Sequence, residues 1–447
     1  MTFGDGFTPS NAFDQLFLLA SESYSLSEDP PVSSASAAVG VADDRVAPEK
    51  HIIGMIALLV SAWAAGASFP DPSSTAAAET ARWIVASGRW AYVTSLKDEN
   101  LEASVLSYSD GDTSSTGHLY FYIMEGFKQN EAAWDASITI SQEALNHTSS
   151  CDAANLDVED PRCAKITITG KMAMLEGDAE RRGKAALFAR HPQMKNWPES
   201  HGFRAHELVI NRIWMIDFYG GGADITPSKY LAAKPRHNVP SWPPSSPAAD
   251  VPASVASAVP NTPPPPPWNH TAARARWLVY HSLWTSVGTI SVHLRGKPWG
   301  NVRAVADGVG RNSTGLPVLY LPTPDPTTVD VGANPHVTLS FSEASLSERA
   351  TPRGGACGGT DVEDPTCARL HMHGTLRPLT RPEEKAAAVV KLCTRHPLAT
   401  WLCKGGAHTG GAYYTIELSK LVFLDYYGGQ ANLSVNDYLS PAPVSTQ

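Results

Sequence analysis

Asp157-Val158-Glu159-Asp160-Pro161-Arg162-Cys163 returns about 200 residues later as Asp361-Val362-Glu363-Asp364-Pro365-Thr366-Cys367, and that return decides the architecture. Its surroundings return with it. Toward the N-terminus, Ala81-Arg82-Trp83-Ile84-Val85 followed by Trp90 reappears as Ala275-Arg276-Trp277-Leu278-Val279 followed by Trp284. Toward the C-terminus, Arg190-His191-Pro192 reappears as Arg395-His396-Pro397, and Asp217-Phe218-Tyr219-Gly220-Gly221 as Asp425-Tyr426-Tyr427-Gly428-Gly429. The order is kept and the spacing drifts only by small insertions. That is duplication of a whole domain, not a solenoid of short repeats.

Within each half the pattern is mostly strands. Trp90–Leu96, Leu119–Ile123, Ala164–Gly170 and Leu208–Ile216 alternate or run apolar, with β-branched and aromatic enrichment. A helix is expected over Asp178–Arg190 and its counterpart over Arg381–Thr394, where Pro382-Glu383-Glu384 is a helix-start signal. Many short strands with one or two helices in about 160 residues predict a closed or split antiparallel barrel, with a sandwich as the competing fold. The segment from Arg236 to His270, which contains the run Pro263–Pro267, cannot bury a core and reads as a semi-rigid tether. The expected domains are 78–234 and 271–442, joined by a linker over 235–270.

The 447 residues carry 35 Lys+Arg against 44 Asp+Glu, a net charge of −9, and no dense basic run, which argues against a nucleic-acid partner. The only long apolar run, Ile52–Ala67, ends in Ala65-Gly66-Ala67, a small-x-small pattern that a signal peptidase accepts. Residues 1–51 are polar, without periodicity, and are expected to be a disordered extension. Either Met1 opens a cytosolic tail before a signal anchor over 52–67, or Met55 is the true start of a signal peptide. Both readings put everything after Ser68 in the secretory lumen, as secreted, endolysosomal or membrane-anchored protein. Sequons at Asn146, Asn269, Asn312 and Asn432 agree with export. The even count of six cysteines suits an oxidising compartment.

Phe188-Ala189-Arg190-His191-Pro192 with Trp197-Pro198-Glu199-Ser200-His201, followed by Ile213-Trp214-Met215-Ile216-Asp217-Phe218-Tyr219-Gly220-Gly221, resembles the CREG family of secreted glycoproteins. Val105–Gly111 in the first half, and Gly296–Val302 through Asp307-Gly308 in the second, are similar to that family's early strands. The resemblance implies a pyridoxamine-phosphate-oxidase-like FMN-binding split barrel, usually a homodimer with flavin clefts at the subunit interface. It also implies secretion or endolysosomal delivery and, in animal members, no bound flavin. Two tandem barrels are then expected to pair with each other as an intramolecular pseudo-dimer. The family's loop disulfide maps onto Cys151/Cys163 and Cys357/Cys367. Departures are Glu99-Asn100-Leu101-Glu102 where the second half has Gly296-Lys297-Pro298-Trp299, and Trp401-Leu402-Cys403 where the first half has Trp197-Pro198-Glu199.

Cys393 and Cys403 exist in the second half only and read as a third bridge. The rival is zinc, with His371, His373, His396 and His408 in the same half, but no two cysteines have close metal-ligand spacing. For flavin, Arg295, Lys297 and Arg303 are the candidate phosphate partners and Trp299 the candidate ring wall; solvated or carboxylate-paired side chains are the alternative. The acidic clusters beside Cys163 and Cys367 read as turn chemistry ending in Asp-Pro, with calcium as the alternative. No G-x-S-x-G grammar appears and no catalytic residue is assigned. The expected function is non-catalytic recognition of a protein or glycan receptor, with an FMN-dependent oxidoreductase as the alternative.

Overall fold

The computed structural model describes residues 75–97, 100–124, 133–145, 150–151, 154–235, 264–323, 325–346, 357, 360–403 and 410–440. The expected extension 1–51, the apolar run 52–67 and most of the tether lie outside the described residues. Among those described, no helix is long and apolar enough to cross a membrane.

Each half opens on a helix, Thr75–Ser87 or Thr271–His281, which holds the repeated Ala-Arg-Trp stretch. Neither helix is among the elements expected from the sequence. Seven strands follow in the first half: β1 (Trp90–Lys97), β2 (Asn100–Ser109), β3 (Leu119–Ile123), β4 (Ala133–Ser141), β5 (Lys165–Met174), β6 (Arg204–Ile216) and β7 (Ala223–Ile225). The second half repeats them as β8 (Trp284–Ser291), β9 (Lys297–Ala304), β10 (Val318–Leu321), β11 (His336–Ser342), β12 (Arg369–Pro378), β13 (Ala412–Leu424) and β14 (Ala431–Leu433). The expected helices appear as Gly177–Arg190 and Pro382–Arg395.

The first sheet runs β3-β2-β1-β4-β5-β6-β7, and β3 also pairs with β6, so six strands close into a barrel and β7 hangs on its edge. The second runs β10-β13-β12-β11-β8-β9 with β14 on β13, and a single bridge between Ala306 and Val318 joins its ends. Closure rules out the sandwich, because a closed ladder leaves no unpaired edge for a second sheet to protect. Both barrels carry a bulge at the same place, after Thr169 and after His373. The following residue is glycine in each case. A Cβ on Gly170 would stand 2.1 Å from the Val209 carbonyl oxygen, and one on Gly374 2.2 Å from that of Glu417.

Each barrel encloses its own apolar core. The first contains Ile84, Val93, Phe121, Ile138, Ile166 and Ile213; the second contains Trp277, Val287, Leu339, Phe341, Leu370 and Phe423. A third apolar cluster belongs to neither barrel alone. It combines Trp90, Tyr92, Val105 and Val158 with Trp284, Val302, Ala304 and Val362, and it sits where the two barrels pack together. The rings of Trp90 and Trp284, equivalent positions in the repeat, stack across this junction with centroids 6.2 Å apart.

Candidate functional site

The junction between the barrels is where the polar chemistry collects. The acidic loop after each barrel's fourth strand begins as turn chemistry: Asp157 Oδ1 accepts from Glu159 N and Asp361 Oδ1 from Glu363 N. The remaining oxygens then cross to the other barrel. His396 Nδ1 donates to Asp157 Oδ2 at 2.8 Å, and His191 Nδ1 donates to Asp361 Oδ2 at 3.1 Å. The other ring nitrogen of each histidine faces a main-chain carbonyl of its own barrel, Val305 for His396 and Tyr108 for His191. Glu159 Oε1 accepts from Ala304 N at 2.5 Å and Glu363 Oε1 from Ser107 N at 2.8 Å. The duplicated loop and the duplicated Arg-His-Pro stretch are therefore two halves of one crossed clasp.

Burial and pairing oppose each other here. Burial favours the neutral forms, but the His396 imidazole holds the Asp157 carboxyl below its ordinary value, and the carboxylate in turn raises His396. For Asp361 the penalty of burial is outweighed by His191 and Ser107, which leave it at about 2. Burial prevails at Glu159 and Glu363, whose carboxyls are raised. Beneath each loop a buried cation gathers carbonyls. Lys165 Nζ donates to those of Val158, Asp160 and Cys163, and Arg369 to those of Val362 and Glu363.

The four residues read from the sequence as flavin partners do not gather round one pocket. Arg295 and Lys297 line a cleft of about 330 Å³ at the edge of the junction, formed with Asp135, Thr169, Asn211 and Arg212 of the first barrel. Lys297 Nζ lies 3.2 Å from Asp135 Oδ1, and Lys171 takes the other oxygen of the same carboxylate at 3.0 Å. Arg212 is held by Asp224 through two contacts of 2.6 and 2.9 Å. Arg295 is exposed in the β8–β9 turn, with φ +55°. Trp299 walls no open slot: it is 1% exposed and packs edge-on against Trp214 of the first barrel at 5.5 Å. Arg303 is equally buried, ion-paired to Asp325 and 3.9 Å from Glu159 Oε2. A flavin phosphate placed on Arg303 would meet two carboxylates already in position, and one placed in the cleft would face Asp135. These residues do not fit that group as a set.

All six cysteines are paired, Cys151–Cys163, Cys357–Cys367 and Cys393–Cys403. Among the described residues no group of three or more His, Cys, Asp or Glu is arranged to hold a metal. His371 and His373 instead contact the Ser340 and Thr338 hydroxyls of the neighbouring strand, and burial pushes His371 down to about 3. His408 lies outside the described residues. Of the sequon asparagines, Asn269, Asn312 and Asn432 are exposed, while Asn146 lies outside the described residues. The clasp acids and histidines were missed as a site. A signal was present, since an acid and a histidine each recur in both halves, but nothing local shows that they meet across the junction.

Comparison with known proteins finds relatives of one family. The matched stretch is 32% identical to chicken (Gallus gallus) Protein CREG1 over 189 residues, 40% of this chain and 97% of that protein. It is 30% identical to mouse (Mus musculus) Protein CREG2 over 183 residues, 38% of this chain and 62% of that protein. Among solved structures, a heme binding protein from Mycobacterium smegmatis aligns over 74% of this chain and 99% of its own, at 15% identity and a TM-score of 0.30. The family model described as "CREG, beta-barrel" matches twice, over residues 72–232 and 266–440, and the chain accordingly belongs to the CREG β-barrel family as a tandem pair.

Proposed function

We propose that this chain is a non-catalytic glycoprotein of the CREG type that works by recognising a protein or glycan receptor in the extracellular space or the endolysosomal lumen. The observation that carries the reading is how the junction is used. Trp299 and Arg303, the residues with the chemistry to hold a phosphorylated ring, are spent on packing and on carboxylates that join the barrels. Three disulfides favour an oxidising compartment, and the exposed Asn269, Asn312 and Asn432 are open to a glycosyl donor. Export rests on Ile52–Ala67, as a cleaved signal or as a retained anchor. The absorbance spectrum of the purified protein, before and after addition of FMN, tests the reading. A colourless protein that ignores micromolar FMN is expected, and flavin bands would overturn it. N-terminal sequencing and a glycosidase mobility shift test export.

The alternative is an FMN-dependent oxidoreductase, favoured by one observation: the cleft of about 330 Å³ lies at the barrel junction with Arg295 on its rim. Its size is at the lower end for small-molecule sites. Flavin bands that vanish in Arg295→Ala would support this alternative.

A further inference from the structure

Exposed aromatic rings meet where the tether enters the second barrel. The Pro267 carbonyl accepts from His270 N at 2.8 Å, so Trp268 and Asn269 form the corner of a turn directly before the helix Thr271–His281. Trp268 stacks on Tyr426 with centroids 4.9 Å apart and planes 17° from parallel, and Tyr427 meets Tyr426 edge-on at 5.5 Å. Even so, Trp268, Tyr426 and Tyr427 remain 55%, 41% and 64% exposed. Rings of that size left open to water in one cluster mark a surface that something covers. The first half is built differently. In the register of the repeat, Phe218 and Tyr219 take the places of Tyr426 and Tyr427, and Ser74 takes that of Trp268. Arg162 lies over the Tyr219 ring at 5.9 Å, whereas the matching residue of the second half is the uncharged Thr366. The sequon is confined to the same half, for Thr75 and Ala77 stand where Asn269 and Thr271 do. The open aromatic cluster and the N-glycosylation sequon therefore occur together, on adjacent residues of one turn.

We propose that a glycan attached to Asn269 is a structural part of the second barrel, its first N-acetylglucosamine packing on the cluster of Trp268, Tyr426 and Tyr427. A pyranose ring has a face made largely of C–H groups, which suits an aromatic face, while its hydroxyl and acetamido groups stay in water. The asparagine link keeps that sugar within a few bonds of Trp268, so the contact needs little intrinsic affinity. Covering the rings removes apolar surface from water and fastens the end of the Pro-rich tether to the barrel. The inference rests on the export proposed above, because the sugar is added in the secretory lumen. It differs from receptor recognition in that the occupant is the chain's own glycan.

The test uses the full chain expressed in a host that attaches N-glycans, with glycopeptide mass spectrometry reporting occupancy at Asn269, Asn312 and Asn432. When the native protein is treated with a peptide-N-glycosidase, the Asn269 glycan is expected to leave at least about tenfold more slowly than that of Asn432, and at the same rate after denaturation. Melting is compared for the wild-type chain, Asn269→Gln, Tyr426→Ala/Tyr427→Ala and the triple variant. Asn269→Gln is expected to melt several degrees below the wild-type chain, and to add no loss once the two tyrosines are gone. Trimming the glycan to one N-acetylglucosamine should leave the wild-type melting in place. Should the tyrosine variants fail to fold, the release rates from the wild-type chain decide alone. Equal release from the native protein, an Asn269→Gln loss undiminished without the tyrosines, or glycans on Asn312 and Asn432 with Asn269 bare would overturn this proposal and leave export standing. A chain bare at Asn269, Asn312 and Asn432 alike would overturn export and the proposal together.

Discussion

His396 of the second barrel donates from Nδ1 to Asp157 Oδ2 of the first at 2.8 Å, in a position where both side chains are almost wholly buried. The repeat supplies the mirror pair, His191 with Asp361 at 3.1 Å, where Gln193 and Ser107 add donors to the same carboxylate. Both nitrogens of each ring face oxygens that only accept, so each clasp is saturated. Two such clasps and the stacked rings of Trp90 and Trp284 join the barrels.

Removing one member of a clasp leaves the other buried without its partner. Asp157→Ala or Asp361→Ala is expected to cost about 3–5 kcal/mol of unfolding free energy. Chemical denaturation of the single variants and of Asp157→Ala/His396→Ala measures it. Strict additivity in that cycle would mean that the pair contributes nothing as a pair.

The His396–Asp157 clasp has a pH signature. His396 is raised above its ordinary 6.5, so its contribution is complete below that value and is lost as pH rises through the raised one. Asp157 is depressed below its ordinary 3.8, so its contribution is complete above that value and is lost as pH falls through the lowered one. The clasp is strongest between them, across mildly acidic pH. The gap in melting temperature between the wild-type chain and His396→Gln is therefore expected to be larger at pH 5 than at pH 8. A gap that is flat or reversed between the two would contradict this.

Lys165 holds three carbonyls with one ammonium that burial lowers to about 8. Lys165→Met orphans those carbonyls and is expected to cost about 3 kcal/mol. Lys165→Arg, the choice the second barrel makes at Arg369, is expected to be close to neutral. Paired denaturation curves decide between this role and simple packing, for which Met would be the milder change.

Gly300 passes close against the first barrel, donating to Ser137 Oγ and accepting from Thr167 Oγ1. A Cβ there would stand 2.3 Å from Thr139 Oγ1. Gly300→Ala is expected to wedge the junction and to cost about 1–3 kcal/mol. Trp90 and Trp284 fluorescence should report the opening; unchanged stability and emission would show that the junction yields freely.

With every cysteine bridged, thiol titration of the denatured, unreduced protein is expected to find none. Three or more free thiols would break the scheme. Cys151→Ser/Cys163→Ser opens the loop of the first acidic cluster and is expected to cost about 3 kcal/mol.

Much of this molecule was legible along the chain, because duplication, strand alternation and helix-start signals are patterns of the residue order itself. Leu119–Ile123 was placed to the residue, and the helices Gly177–Arg190 and Pro382–Arg395 to within one or two. The flavin-type set was not legible. Arg295, Lys297, Trp299 and Arg303 are neighbours on one hairpin, yet strand alternation and the approach of the other barrel send the first two to an open cleft and bury the others. Asp157 and Asp361 read as turn residues, His191 as part of a repeated Arg-His-Pro stretch and His396 as a zinc alternative, since the histidine and acid of each pair stand 170 or 239 positions apart. Two repeated strand-rich domains, and the cysteines of each, follow from the residues alone. Which charges are free to meet a ligand follows from the packed fold, because burial and pairing depend on what the second barrel brings to the first.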